Sequence, residues 1–198
     1  MATDIKQIVN NLLNFYNFSD KTITTVGAGG GQLIEYGRTS KSVYAVDNDD
    51  KALDMLRINL LKAGLTDKFS IIHSDFYKIH LQSDIVLFEF SLHEIDNPES
   101  ALKHAQTLAP NIIILDHLPD SEWAFLADEK EKVSRSWAAI ESSQIKKIQK
   151  YSTTQIFQNY EELKTKLEVQ GENSMARILN YQLQTDISIA MTYGIVLL

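Results

Sequence analysis

Residues 22–31 read Thr-Ile-Thr-Thr-Val-Gly-Ala-Gly-Gly-Gly, a β-branched run that leads directly into a cluster of glycines. The first half is typical of a strand and the second half of a tight turn. A turn without side chains lets backbone N–H groups approach a ligand closely. Asp47 ends the next apolar run, 20 residues after Gly27, the usual separation for a carboxylate that binds ribose hydroxyls. The stretch therefore predicts a strand, a glycine-rich turn and a nucleotide-like ligand.

The same alternation of strand and helix continues along the chain. Four further strands are predicted at 43–46, 69–73, 85–90 and 112–115. A short helix over 32–36 should end at Gly37, and the helix after the second strand should end at Gly64. Asn97 and Pro98 are typical of a helix start. Five such units predict an α/β fold with a doubly wound, Rossmann-like and mostly parallel sheet.

The two ends of the chain depart from this repeat. Apolar residues at helical spacing predict an opening amphipathic helix with Thr3 as its cap. Residues 121–140 and 160–167 are also predicted to be helical. Two β-like runs at 175–182 and 187–198 are close enough to pair as an antiparallel hairpin.

These features together predict the organisation of the whole chain. We expect seven strands in a single domain over residues 1–198, with a helical, lid-like insertion at about 118–158. The lysines at 146, 147 and 150 form a local basic cluster, which we expect to lie on a solvated helix face.

Composition excludes several classes of function. The net charge of -7 and the lack of a basic block disfavour a nucleic-acid partner. The chain has no cysteine, which excludes thiol chemistry. It has no apolar run long enough to span a bilayer and no secretory leader, so we expect a cytoplasmic protein without a membrane partner.

The glycine spacing separates two cofactor classes. A dinucleotide fingerprint, G-x-G-x-x-G, would need its third glycine at 32, where Gln32 stands. The spacing is instead G-x-G-x-G, with the third glycine at 31. In this respect the sequence resembles class I S-adenosylmethionine-dependent methyltransferases, whose first motif is acidic-x-G-x-G-x-G. It departs from that motif at Thr25, where the family has an acidic residue that helps to hold the amino-acid end of the cofactor.

Later motifs extend the resemblance over residues 1–117. Residues 43–47 resemble the family's second motif, and residues 72–76 resemble its third. Residues 89–98 resemble the fourth-strand region of the ubiquinone- and menaquinone-biosynthesis-like branch, which acts on small molecules. The resemblance implies that Asp47 binds the ribose and that Asp75 accepts from the adenine amino group beside Phe76. It implies S-adenosylmethionine as cofactor, held by Gly27, Ala28, Gly29, Gly31, Asp47, Asn48, Asp75, Phe76 and Glu89.

The acceptor side should lie beyond the carboxyl ends of the fourth and fifth strands. Candidate residues there are Glu89, Ser91, His93, Glu94, Asp116 and His117. We assign catalytic roles to His93, Glu94 and His117, with His93 as general base. His93-Glu94 would need a histidine at 97 to form the H-E-x-x-H metal motif, and Asn97 stands there, so no metal is predicted. Aromatic residues that could wall the acceptor are Tyr16, Trp123, Phe125 and Trp137.

The leading hypothesis is methyl transfer to a small-molecule acceptor. A nicotinamide-dependent oxidoreductase is a second possibility, which the glycine at 31 and the predicted closing hairpin disfavour. A third is a non-catalytic scaffold or sensor with the same fold, which the departure at Thr25 keeps open. The oligomeric state and the identity of the acceptor are left open.

Overall fold

A computed structural model of the chain describes residues 4–198. Its strands are β1 (Thr22–Val26), β2 (Ser42–Asp47), β3 (Phe69–His73), β4 (Ile85–Glu89), β5 (Asn111–His117), β6 (Lys147–Asn159) and β7 (Thr185–Leu197). Its helices are α1 (Ile5–Phe15), α2 (Asp50–Ala63), α3 (Pro98–Leu108), α4 (Glu122–Leu126), α5 (Lys130–Glu141), α6 (Tyr160–Leu167) and α7 (Glu172–Arg177). No helix in this described part is long and apolar enough to cross a membrane.

The seven strands form one sheet in the order β3-β2-β1-β4-β5-β7-β6. The first five are mutually parallel, whereas β7 runs antiparallel to β5 and pairs with β6 as an antiparallel hairpin. The predicted fold class is therefore confirmed. Strand order reverses between β1 and β4, so the carboxyl ends of these two strands flank the crevice in which such folds bind ligands.

Burial explains why the central strands could be recognised. Every residue of β4 is buried, and so are the last six of β5, because helices cover both faces of the sheet. Two apolar clusters lie on the two faces, one containing Ile23, Leu53 and Leu87 and the other containing Val86 and Leu102.

The helix ends follow local capping chemistry. Gly64 closes α2 in the left-handed conformation, and the Asn97 side chain accepts from the Ser100 N–H while Pro98 opens α3. These predictions are confirmed. The Asp4 side chain caps α1 by accepting from the Gln7 N–H at 3.0 Å. The predicted cap Thr3 lies outside the described residues.

The helix predicted over 32–36 is wrong. Residues Ile34–Arg38 form a 3₁₀ turn, and Gly37 lies inside it. A Cβ on Gly37 would come within 2.3 Å of the Phe69 ring, so this glycine provides space for β3 rather than ending a helix. The segment between the glycine turn and β2 is too short for a longer helix, and short pieces commonly take the 3₁₀ form.

The prediction of the hairpin's first strand is also wrong. Residues 175–182 form the end of α7 and a 3₁₀ turn, and β7 pairs instead with β6 over Lys147–Asn159. Only one face of β6 is buried, and two of its buried positions are polar, Thr153 and Gln155. The alternation of apolar and polar residues that reveals a strand is therefore weak here.

This strand also corrects the predicted lid. The segment 118–158 is helical only in α4 and α5, and its last third is an edge strand of the sheet. Lys147 and Lys150 consequently lie on β6 rather than on a helix face. The Lys147 ammonium lies 4.3 Å from the centre of the Phe15 ring. The helix predicted over 121–140 is interrupted at Asp128, which has a positive φ of 60°.

Candidate functional site

The glycine-rich turn after β1 needs its glycines for two physical reasons. Gly27, Gly29 and Gly31 all have positive φ, at 69°, 50° and 74°, a region that other residues rarely adopt. A Cβ on Gly27 would lie 2.3 Å from the Ser91 Cβ, so the turn passes directly against the loop after β4. Gly31 packs against Leu56 of α2 and lines none of the cavities described below. It shapes the turn, and the other glycines border the ligand space.

Asp47 joins this turn to the end of β2. Its Oδ2 accepts from the Gly29 N–H at 2.8 Å, and its Oδ1 accepts from the Asp49 N–H at 3.0 Å. A carboxylate has about four acceptor positions, so two remain for hydroxyl groups of a ligand. The residue therefore holds the turn and faces the cavity at the same time.

The first cavity, of about 500 Å³, lies beyond the carboxyl ends of β1, β2 and β4. Its lining residues are Val26, Gly27, Val46, Asp47, Asn48, Ser74, Asp75, Phe76, Tyr77, Phe90, Ser91, Glu94, Ile95 and Asp96. The structure thus brings together Gly27, Asp47, Asn48, Asp75 and Phe76, all predicted to contact the cofactor. The Asp75 Oδ1 accepts from the Tyr77 N–H, and the buried Phe76 ring packs edge-on against Phe88.

The second cavity, of about 310 Å³, lies on the other side of the glycine turn. Its lining residues are Ile5, Gly27, Ala28, Gly29, Gly30, Gln32, Leu33, Glu89 and Phe90. The predicted cofactor residues Ala28, Gly29 and Glu89 therefore share this cavity. Gly27 and Phe90 border both cavities, so the turn forms the boundary between them.

Glu89 is the only acidic side chain that lines the second cavity within the described part of the chain. The Thr25 and Tyr36 hydroxyls both donate to its Oε1, Tyr36 at 2.5 Å. Burial raises the pKa of Glu89 to about 7, although these two hydrogen bonds act in the opposite direction. Tyr36 was missed in the sequence because it lies 53 residues from Glu89 in the chain.

A third cavity, of about 280 Å³, opens beside Phe90. Its lining residues are Ile5, Ile8, Gln32, Phe90, His93, Glu94, His117, Trp123, Glu129, Gln155, Lys166, Val169, Gln170 and Met191. The three predicted catalytic residues, His93, Glu94 and His117, all border it. Phe90 borders all three cavities and has a positive φ of 49°, a strained conformation for a bulky residue.

Of the four aromatic residues predicted to wall the acceptor, only Trp123 borders one of the three cavities. Trp123 lines the third cavity and stacks on Phe157. Trp137 is buried beside Gly194 and donates its indole N–H to the His117 carbonyl. Tyr16 packs on Phe18, and the exposed Phe125 ring lies under Arg177. These three positions therefore do not face the acceptor space.

His93 lies at the centre of a charged cluster. Its Nδ1 is 2.5 Å from the Asp116 Oδ1, and its Nε2 is 3.3 Å from the Glu94 Oε1 and 3.8 Å from the Glu129 Oε2. Burial opposes a charge on the ring, but Asp116, Glu94 and Glu129 outweigh it and raise the pKa of His93 to about 10. An imidazolium cannot accept a proton, which argues against the predicted role of His93 as general base.

The neighbours of His93 have shifted pKa values as well. A hydrogen bond from His93 and another from Lys132 lower the pKa of Glu94 to about 2, although burial opposes them. Burial raises the pKa of Glu129 to about 7, and burial lowers the pKa of His117 to about 4. Glu129 was missed in the sequence because it follows His93 by 36 residues and lies between α4 and α5, inside a stretch that was predicted to be one continuous helix.

Comparison with known proteins agrees with this arrangement. A family model described as a methyltransferase domain matches residues 24–111, which contain the glycine turn, Asp47, Asp75 and Glu89. No curated protein matches the sequence. The match is to a methyltransferase domain and speaks against the alternative of a nicotinamide-dependent oxidoreductase.

Solved structures share the fold across nearly the whole chain. The YcgJ protein from Bacillus subtilis has a TM-score of 0.69 at 11% identity, covering 97% of this chain and 96% of that one. A SAM-dependent methyltransferase from Aquifex aeolicus has a TM-score of 0.60 at 17% identity, covering 98% and 89%. The magnesium protoporphyrin IX methyltransferase from Synechocystis PCC 6803, solved with bound SAM, has a TM-score of 0.54 at 13% identity, covering 97% and 77%.

These findings converge with the geometry. The glycine turn lies at the switch point of the sheet, and the methyltransferase domain match spans it. Residues 24–111 therefore match a methyltransferase domain, and the chain as a whole shares the fold of solved S-adenosylmethionine-dependent methyltransferases.

Proposed function

We propose that this chain is a class I S-adenosylmethionine-dependent methyltransferase, which transfers the methyl group of that cofactor to a small-molecule acceptor bound in the third cavity. One observation carries the proposal, namely that three cavities meet at Phe90. An extended cofactor would lie across the first and second cavities with the glycine turn beneath it. Its methyl group would then face the third.

The first cavity suits the adenosine end of the cofactor. Asp47 retains acceptor positions for the ribose hydroxyls, and Asp75 lies where a carboxylate could accept from the adenine amino group. Phe76 and Ile95 supply apolar surface for the base. These assignments follow the resemblance of residues 43–47 and 72–76 to the second and third family motifs.

The second cavity suits the amino-acid end. In the family motif an acidic side chain stands at the position of Thr25, and here Thr25 instead donates a hydrogen bond to Glu89 on the adjacent strand. The carboxylate that faces the cavity is thus provided by β4 rather than β1. We assign Glu89 to the α-ammonium group of the cofactor, because a buried carboxylate gains most from a cationic partner.

The third cavity suits a small acceptor with both apolar and polar parts. Phe90, Trp123 and Met191 provide apolar walls, while His93 and Glu94 provide charge. The bound cofactor would supply an electrophilic methyl group on its sulfonium sulfur. A lone pair of the acceptor would form the new bond as the carbon–sulfur bond breaks, which would release S-adenosylhomocysteine and pass the acceptor's proton to water. Such an in-line displacement depends chiefly on alignment and on exclusion of water.

Calorimetry with S-adenosylhomocysteine tests the cofactor site. We expect binding by the native chain and at least tenfold weaker binding by Asp47→Ala, which removes the acceptor for ribose hydroxyls. Asp67→Ala is the matched control, since Asp67 is exposed and lines none of the three cavities. Unchanged affinity in Asp47→Ala would show that the site has been misplaced.

Incubation with methyl-labelled S-adenosylmethionine and a whole-cell extract, which is separated by molecular size afterwards, tests the acceptor. We expect the label in a low-molecular-weight fraction, and we expect Trp123→Ala to lower that transfer while S-adenosylhomocysteine still binds. Label found only in protein or RNA would overturn the assignment of a small molecule.

A further inference from the structure

Three side chains of the third cavity form a cluster whose donor atoms converge. The His93 Nε2 and one carboxylate oxygen each from Glu94 and Glu129 lie within 4.8 Å of one another. His93 is 3% exposed and Glu129 is also buried, whereas Glu94 is partly open to the cavity. We call these three residues the His93 cluster.

The spacing in this cluster fits a shared ion. Donor atoms that bind one transition metal at about 2.0–2.2 Å lie roughly 3.0–3.5 Å apart in octahedral or tetrahedral geometry. The His93 Nε2 lies 3.3 Å from the Glu94 Oε1 and 3.8 Å from the Glu129 Oε2. The first of these separations lies within that range and the second exceeds it by a few tenths of an ångström, while the two carboxylates lie within 4.8 Å of each other and would close around a bound ion.

Each member of the cluster is also held by a second partner that leaves one donor atom directed inward. Asp116 holds the His93 Nδ1, which leaves Nε2 for a ligand. Lys132 donates to the Glu94 Oε2, which leaves Oε1. Gln170 donates to the Glu129 Oε1, which leaves Oε2. Outer contacts of this kind orient the ligands of metal sites, and a carboxylate behind a histidine is the commonest example.

Both carboxylate oxygens of Asp116 are hydrogen-bonded within the cluster. The residue is completely buried, its Oδ2 accepts from the backbone N–H of His93, and its Oδ1 accepts from the backbone N–H of His117. Beside it, the buried His117 Nδ1 has no hydrogen-bond partner within residues 4–198, and its ring centre lies 5.6 Å from that of His93. A polar group without a partner is costly in a protein interior and commonly marks a functional site.

We infer that the His93 cluster binds a divalent transition-metal ion, with His93, Glu94 and Glu129 as its protein ligands. An imidazole with two carboxylates favours Mn²⁺, Fe²⁺, Co²⁺ or Zn²⁺, whereas Mg²⁺ and Ca²⁺ prefer oxygen ligands alone. Three protein ligands leave further coordination positions, and all three residues line the third cavity.

The side chains around the cluster also suit a divalent occupant. Two carboxylates, those of Glu94 and Glu129, meet one imidazole, and a third carboxylate, that of the fully buried Asp116, lies behind it. A divalent cation would carry the positive charge that these acidic side chains face. The sequence did not reveal this site, because the motif H-E-x-x-H requires a second histidine at position 97. The additional ligand is instead Glu129, which immediately precedes α5.

The test is metal binding by the chelator-treated, tag-free protein. Titration with Co²⁺ should give one saturable site with visible absorption bands, and Zn²⁺ should displace the Co²⁺. Glu129→Gln should weaken binding at least tenfold. Glu131→Gln, the same chemical change at an exposed position two residues away, should leave it unchanged.

Two further measurements keep the outcome clear. His73→Ala removes the exposed histidine beside Asp50, and loss of the Co²⁺ bands in that variant would place the metal on the surface and overturn the inference. S-adenosylhomocysteine binding by each variant shows that it is folded. Cofactor binding without any saturable Co²⁺ or Zn²⁺ site in the native chain would also overturn the inference, and would leave the proposed methyl transfer standing.

Discussion

At the scale of single residues, Glu89 has the environment that bears most directly on the proposed binding of the cofactor. Its carboxylate is buried at the end of β4, and two hydroxyls from separate parts of the chain, those of Thr25 and Tyr36, donate to one of its oxygens. The second cavity is thereby given a carboxylate in fixed orientation. The proposed ion pair with the cofactor's ammonium group makes two predictions.

The first prediction concerns the Glu89→Gln variant. Replacement removes the charge and keeps the shape, so the loss should reflect the ion pair with the ammonium group. We expect about 10- to 100-fold weaker binding of S-adenosylhomocysteine, equivalent to roughly 1.5–3 kcal/mol. Calorimetry measures it, with Glu99→Gln on the exposed face of α3 as control. Equal affinity in both variants would remove Glu89 from the site.

The second prediction concerns pH. Burial raises the pKa of Glu89 to about 7, and only the ionised form pairs with an ammonium group. Affinity for S-adenosylhomocysteine should therefore increase from pH 6 to pH 8 more steeply in the native chain than in Glu89→Gln. Parallel pH profiles for the two proteins would contradict it.

The stability of the unliganded protein should depend on pH in the opposite direction to its affinity for the cofactor. The folded-state pKa of Glu89 lies above the value of an unfolded chain, so the protonated form favours folding. That contribution is complete below about pH 4.5 and is lost as the pH rises through about 7. Cofactor binding should offset the loss at pH 8, because the ammonium group stabilises the carboxylate.

At the scale of elements, β6 shows how a strand can escape recognition. Its alternation is real, but its inward-facing residues include Thr153 and Gln155 along with Phe157. The Gln155 amide contacts the Met191 sulfur of β7, so a polar side chain fills a position that is usually apolar. Pairing with β7 over the length of both strands compensates for the weak pattern.

A pair of substitutions tests this strand. Phe157 is 0% exposed and stacks on Trp123, whereas its neighbour Ile156 faces outward and is 46% exposed. Phe157→Ala should lower the free energy of unfolding by about 3–5 kcal/mol. Ile156→Ala should change it by less than about 1 kcal/mol. Urea denaturation measures both, and similar losses would mean that the faces of β6 are assigned wrongly.

At the scale of the whole molecule, the parallel sheet places the candidate site residues at the carboxyl ends of its strands. The carboxyl ends of β1, β2, β4 and β5 supply the glycine turn, Asp47, Glu89 and His117, and the loop after β4 supplies His93. The added segment between β5 and β6 then places Trp123 and Glu129 across from them. The third cavity, which we propose as the acceptor site, is thus formed between the parallel sheet and a segment that follows no βα repeat.

The amino-acid sequence by itself determined the parallel core and the glycine turn, and it indicated the class of cofactor that we propose. Those features depend on contiguous apolar runs and on the spacing of Gly27, Gly29 and Gly31, all of which are local in the chain. Only the tertiary structure decided how Thr25 pairs with Glu89 and how His93 meets Glu129. These pairs lie 64 and 36 residues apart in the chain, so their contact depends on strand register and helix packing, which no local pattern records.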